Sequence, residues 1–260
     1  MFIDTHCHVH DSKFYPDGRE DPYRLSIAAG VAKMICIGTD ERSSIEAVEF
    51  AALHPGCFAA VGIHPHDAAN SDVNAIRELI VANSPTLNSN DQPVVAGIGE
   101  IGLDYYYNHS PRDVQIETFQ AQIQLAIDHK LPISFHVREA FDDFWSILDN
   151  FHGLNGVLHS FTDNQANLEK GLSRGLYVGI NGISTFTKDT TQKELYGNIP
   201  LQKLLLETDA PFLTPAPFRG KMNIPAYVVE VARHQADMRK LSLDTIATTT
   251  TANAVKLFNL

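Results

Sequence analysis

Cysteine is nearly absent from this chain: Cys7, Cys36 and Cys57 are three residues in 260, with no C-x-x-C spacing among them. That scarcity argues against a disulfide framework and fits a reducing compartment. Basic residues are also in deficit. Twenty Lys and Arg face 31 Asp and Glu, a formal net charge of −11, which argues against a broad cationic surface that would grip nucleic acid nonspecifically. It does not exclude chemistry on nucleic acid at a site holding divalent cations, because bound ions reverse the sign locally. No apolar run reaches membrane-spanning length, and the N-terminus opens on a strand pattern instead of a signal sequence. Linkers rich in Pro, Ser and Gly are missing, apart from a polar patch over residues 84–92. These absences predict one domain over residues 1–260 in a soluble cytoplasmic protein, with no membrane contact and no obligate protein partner.

What is present is a large apolar content, 44% of residues, enough to bury a sizeable core. It is arranged as eight short runs: 2–8, 33–38, 57–63, 93–99, 132–136, 156–159, 176–180 and 204–207. Helical patterns cover 21–30, 43–54, 72–83, 112–129, 141–150, 165–174, 224–236 and 243–257, with a short helical turn from Glu194. Stop signals such as Gly30 and Pro55-Gly56 close the first two helices. Strands alternating with helices predict an α/β fold, a (β/α)8 TIM barrel. A doubly wound open sheet would give the same alternation. The polar residues discriminate: His6, His8, His64, Glu100, His136, His159 and Asp209 all fall at the C-terminal ends of predicted strands. A closed barrel brings such ends to one rim, whereas an open sheet spreads them too widely to share a site.

In Asp4-Thr5-His6-Cys7-His8 alternate side chains share a face, so His6 and His8 project together while Cys7 points away as a small buried residue. Imidazoles and carboxylates, with no thiolate placed to join them, suit Zn, Mn or Mg, and the histidine content favours the first two. Four imidazoles (His6, His8, His136, His159) and two carboxylates (Glu100, Asp209) are too many for one tetrahedral catalytic ion. They suit two divalent ions bridged by a carboxylate. Asp209 is the candidate general acid/base as well as a ligand. Arg138 can meet a substrate phosphate or form a rim salt bridge, and His64 can touch substrate or serve a His-Pro turn. Asp4 and Glu207 share strand parity with ligands two residues on, which predicts that both point inward beneath the metals. His10, His54, His66, His109, His129, His152 and His234 fit no cluster. Tyr105-Tyr106-Tyr107 stands on a rim loop, where tyrosines either stack on nucleobases or cover the barrel mouth. Gly99 and Gly102 let the backbone turn tightly beside Glu100.

Five stretches carry a resemblance. They are Asp4-Thr5-His6-Cys7-His8, Gly99-Glu100-Ile101-Gly102-Leu103-Asp104-Tyr105, Phe135-His136-Val137-Arg138-Glu139-Ala140, His159-Ser160-Phe161, and Glu207-Thr208-Asp209-Ala210-Pro211-Phe212-Leu213-Thr214-Pro215. In this combination the chain resembles the TatD family of metal-dependent hydrolases, a barrel family in the amidohydrolase-like group, over residues 4 to 221. The resemblance implies that His6, His8 and Asp209 hold one ion and His136 and His159 the other, with Glu100 bridging both. It further implies hydrolysis of DNA phosphodiester bonds by attack of a metal-bound water, often as an exonuclease, on single strands or strand ends. Arg219-Gly220-Lys221-x-Asn223 is similar to the family's basic stretch, making Arg219 and Lys221 candidate substrate contacts. Ile224 follows where the family usually has Glu. The same ligands would equally serve an ester or amide hydrolase, acting for example on aminoacyl-tRNA or a small ester. A third reading, a metal-dependent interaction module without catalysis, fits poorly with an intact ligand set that keeps Asp209.

Overall fold

The computed structural model describes residues 1–83, 86–88 and 92–260, so the polar patch at 84–92 lies partly outside the described residues. Its strands are β1 (Phe2–Cys7), β2 (Val31–Ile37), β3 (Cys57–Val61), β4 (Val95–Asp104), β5 (Ile133–Arg138), β6 (Gly156–Leu158), β7 (Tyr177–Ile180) and β8 (Leu204–Leu206). The α-helices are α1 (Glu20–Ala28), α2 (Glu41–Leu53), α3 (Val73–Asn83), α4 (Arg112–His129), α5 (Phe141–Leu148), α6 (Gln165–Ser173), α7 (Ile183–Phe186), α8 (Thr190–Asn198), α9 (Val228–Arg239) and α10 (Leu243–Phe258). The strands follow one another in the sheet in chain order, β1 to β8. That order, with helices between successive strands, is the (β/α)8 TIM barrel the sequence predicts.

The chain divides into two compact units, residues 1–36 with 160–260, and residues 37–159. In the first, β1 pairs in parallel with β2, and β7 with β8. The three leucines of β8 are all buried, as expected for a strand covered on both faces. Asn253 of α10 donates to the carbonyls of Leu201 and Leu204, both at 2.8 Å, tying that helix to the start of β8. Cys7 is fully buried, and its thiol donates to the Ile35 carbonyl on β2 at 3.6 Å.

In the second unit, parallel pairing runs from β3 through β4 and β5 to β6. Phe141, Phe144, Trp145 and Leu148 recur at helical spacing and make one face of α5 apolar. Phe144 lies 5.2 Å from Phe135 of β5 and 5.7 Å from Phe119 of α4, ring centre to ring centre, so strand and helices share one aromatic core. Helix α2 starts on a reciprocal cap: Asp40 accepts from the Ser43 amide at 2.6 Å, and the Ser43 hydroxyl accepts from the Asp40 amide at 3.1 Å.

Three elements differ from the sequence expectation. β4 does not stop at Gly99 but runs to Asp104, placing Glu100 inside the strand. It continues with a register shift between Ile98 and Ile101 and with Gly99 and Gly102 at φ of 155° and 150°. A Cβ on Gly102 would stand 1.9 Å from the His136 carbonyl, so only glycine lets β4 stay paired with β5 here. α8 is a full helix where a turn was expected, capped by Asp189 accepting from the Thr191 amide at 2.9 Å. α9 begins at Val228 because Pro225 stands in a preceding 3-10 turn.

Candidate active site

In the first unit His6 lies on β1, His8 just beyond it, and Asp209 in the loop after β8. Both imidazoles turn Nε2 toward Asp209 Oδ1, at 3.7 Å from His6 and 3.3 Å from His8. Backbone bonds set this convergence: the Asp209 amide donates to the His6 carbonyl at 2.9 Å, and the His8 amide to the Ala210 carbonyl at 2.8 Å. Asp4 completes the seam. It accepts from the Thr208 amide at 2.9 Å and the Thr208 hydroxyl at 2.5 Å. Burial pushes its carboxyl up to about 8, against the lowering effect of the Thr208 hydrogen bonds. Glu207 accepts from the Ser160 amide at 2.6 Å. Gly179 makes room for that carboxylate, since a Cβ there would lie 2.2 Å from Glu207 Oε2. Asp4 and Glu207 are both buried, and they hold the chain at Thr208, beside Asp209, and at Ser160 through backbone amides.

In the second unit one oxygen of Glu100 faces three imidazoles. His136 Nδ1 stands 2.7 Å from Oε1, His159 Nε2 3.7 Å and His64 Nε2 3.8 Å. The opposite nitrogen of His136 meets Asp104 Oδ2 at 3.0 Å. Burial draws the His136 imidazole down, but hydrogen bonds from Asp104 and Glu100 and their charges outweigh it and push it up to about 9. Asp104 is held well below the usual carboxylate range: burial raises it, but the bonds from His136 and His66 prevail. His64 is set apart by its tautomer. Its Nδ1 accepts from the His66 amide at 3.1 Å, so the neutral ring carries its proton on the Nε2 that faces Glu100. Burial and neighbouring His136 hold it in that neutral form.

Two buried glutamines on α4 hold the backbone beneath this group. Gln122 accepts from the Ile63 amide at 2.7 Å and donates to the Ile63 carbonyl at 3.0 Å. Gln115 does the same for Asp104, at 2.9 and 3.1 Å. Each side chain thus satisfies both main-chain groups of a residue beside or within the site.

Sequence reasoning missed Asp104 and misassigned His66. Asp104 stands in the quoted central motif, four residues past Glu100, and that even spacing was the available signal. His66 was expected to fit no cluster, yet its Nε2 lies 2.9 Å from Asp104 Oδ2 and its ring 4.3 Å from that of His64. His109, placed outside any cluster as well, packs on His66 with ring centres 4.7 Å apart. Arg138 lies on the rings of Tyr106 and Tyr107. Arg219 lies over Phe186 and donates to the Thr214 carbonyl at 2.9 Å, while Thr214 donates to the Lys221 carbonyl at 2.7 Å. The exposed basic loop is therefore folded on its own chain, with Asn223 tying it to the Thr208 carbonyl at 2.9 Å.

Imidazole nitrogens and carboxylate oxygens, with no thiolate among them, form a donor set that divalent ions take. Glu100 and His136 each offer a donor atom, and His64 lies within the same 4.8 Å without a free lone pair. His136 also has the carboxylate partner that a ligating histidine usually keeps on its second nitrogen. The residues present fit a divalent metal ion.

A family model described as TatD related DNase matches residues 3–259. The chain is 36% identical to an uncharacterized metal-dependent hydrolase, YabD, of Bacillus subtilis, over the full length of both. It is 35% identical to a protein of Salmonella typhimurium named 3'-5' ssDNA/RNA exonuclease TatD, with 98% of each chain covered. Among solved structures, a TatD homolog from Escherichia coli, YJJV, superposes with a TM-score of 0.88 at 28% identity, covering 100% of this chain and 98% of that one.

Proposed function

This chain belongs to the TatD family of metal-dependent hydrolases, and from that membership we propose that it cleaves phosphodiester bonds at the ends of single-stranded DNA. The observation that carries the reading is the gathering of imidazoles on single carboxylate oxygens, three at Glu100 and two at Asp209. His6, His8 and Asp209 would hold one divalent ion, and His136, His159 and Glu100 another; Zn, Mn and Mg all suit the donors. When bound, such ions supply Lewis acidity toward phosphate oxygens and lower the pKa of a water. Asp209 accepts the proton of the attacking water. His64, neutral with its proton on Nε2, donates to a phosphate oxygen and does not compete for a ligand position. Arg138, Arg219 and Lys221 supply positive charge along the path of the strand, which an overall charge of −11 otherwise opposes. The whole chain, residues 1–260, serves this one activity, and the exonuclease name of its relative supports the choice of substrate.

The test is a screen of the metal-reconstituted enzyme on single- and double-stranded DNA, RNA, aminoacyl-tRNA and simple phosphate esters. Single-stranded DNA is expected to be degraded from an end with the highest kcat/KM. Turnover confined to aminoacyl-tRNA or a carboxylic ester would replace this reading with carbonyl chemistry at the same ligands.

A further inference from the structure

We propose that Tyr106, Tyr107 and Arg138 form a stacking subsite that takes one unpaired nucleobase of the substrate strand, an inference that rests on the phosphodiesterase reading above. The guanidinium carbon of Arg138 lies 4.1 Å from the ring centre of Tyr106 and 4.6 Å from that of Tyr107. The two rings stand edge to face, with centres 4.8 Å apart and planes at 89°. Large aromatic side chains are normally drawn into a core, yet Tyr106 is 54% exposed and Tyr107 50%. The neighbouring pair shows what a purely structural arrangement looks like. There Arg112 lies over Tyr105 at 4.6 Å, but Asp143 neutralises it at 2.6 Å and also accepts from the Tyr105 hydroxyl at 2.6 Å. Arg138 makes no such ion pair among the described residues, so its charge remains available to a phosphate. A cation beside an exposed aromatic ring is the combination that binds single strands, with a base on Tyr106 and its phosphate on the guanidinium; Tyr107, its ring stacked on His109 with centres 5.6 Å apart, backs the site.

The subsite is also fixed relative to the chemistry by one carboxylate. Asp104 Oδ1 accepts from the backbone amides of Tyr106 and Tyr107, both at 3.0 Å, while Oδ2 meets His66 and His136. Tyr107 further packs its ring against His66, with centres 5.4 Å apart. The loop therefore cannot shift without moving the group that orients His136. A base inside a duplex has both faces covered and cannot lie on Tyr106, so the subsite selects for unpaired ends.

The experiment compares wild-type and Tyr106→Ala on two short single strands, identical except that one has an abasic site at its terminal position. Both strands carry a terminal phosphorothioate linkage for the binding arm, read by fluorescence anisotropy, and a normal linkage for the kinetic arm. Tyr106 is on the surface, so circular dichroism should be unchanged by the substitution. The expected result is that Tyr106→Ala raises KM and the dissociation constant roughly tenfold on the strand with its base, with a much smaller change in kcat. Tyr106→Phe should restore most of the loss. On the abasic strand the two proteins should converge. An equal penalty on both strands, or none on either, overturns the subsite even if DNA is cleaved. Base-dependent binding that Tyr106→Ala abolishes, in a protein that hydrolyses no strand, would uphold the subsite and bring down the nuclease reading instead.

Discussion

Glu100 gathers three imidazoles and Asp209 two, so the same carboxylate-to-amide change should have different consequences at each. Glu100→Gln removes the charge that offsets the ions, and metal content should fall. Asp209→Asn keeps an oxygen that can ligate but cannot take a proton from the attacking water. It should retain much of its metal while kcat falls about 10²–10⁴-fold. Metal analysis beside turnover on both variants checks this, and a metal-loaded Asp209→Asn with near-wild-type turnover would leave Asp209 a ligand only. Asp104 gives a second prediction at this scale. Asp104→Asn can no longer accept equally from His66 and His136 at Oδ2, so metal affinity should weaken about 10–100-fold, read by titration against a competing chelator. These two carboxylates mark where residue-level reading stops. Glu100 and Asp209 were legible because each ends or follows an apolar run with a ligand-type side chain. Asp104 and His66 were not, because their roles appear only where the end of β4 meets the segment after β3; even spacing from Glu100 was a local signal for Asp104, and His66 had none.

Among the elements, α5 was nearly complete in the sequence because its apolar residues recur at helical spacing. β4 was not. Its glycines read as a turn, whereas they keep a strand going past a carbonyl that no Cβ could clear. The packing of α5 is testable: Phe144 is fully buried among Phe119, Phe135, Phe141 and Trp145. Phe144→Ala should cost about 3–5 kcal/mol, measured as a lowered urea midpoint with an unchanged slope. A loss below about 1 kcal/mol would mean that the surrounding rings collapse into the gap.

For the whole molecule, the alternation of strands and helices read as α/β and the ligand-type residues at the strand ends selected the barrel over an open sheet, and no helix among the described residues is long and apolar enough to cross a membrane. Metal loading should act on the entire fold, since ions that bind only the native state stabilise it by mass action. At a free concentration a hundred times the dissociation constant the gain is about 2.7 kcal/mol. Thermal melts with and without a chelator should show a raised Tm in the loaded protein and a smaller rise in Glu100→Gln. A Tm indifferent to metal in the wild type would count against an ion-holding site. The clamps of α4 bear on how such a molecule can change. Gln115 and Gln122 sit seven residues apart, about 10 Å along a rigid rod, and grip the main chain at Asp104 and Ile63. The separation of Asp104, the last residue of β4, from Ile63, two residues past β3, is thereby gauged by α4. The segments in front, 65–70 and 105–111, are tied to that gauge: Gln115 also donates to the Ser110 carbonyl at 2.9 Å, and the Ser110 hydroxyl donates to the His66 carbonyl at 2.8 Å. A change of substrate that keeps the catalytic spacing therefore falls on outward side chains such as Tyr106, while His66 and Ser110 stay in place.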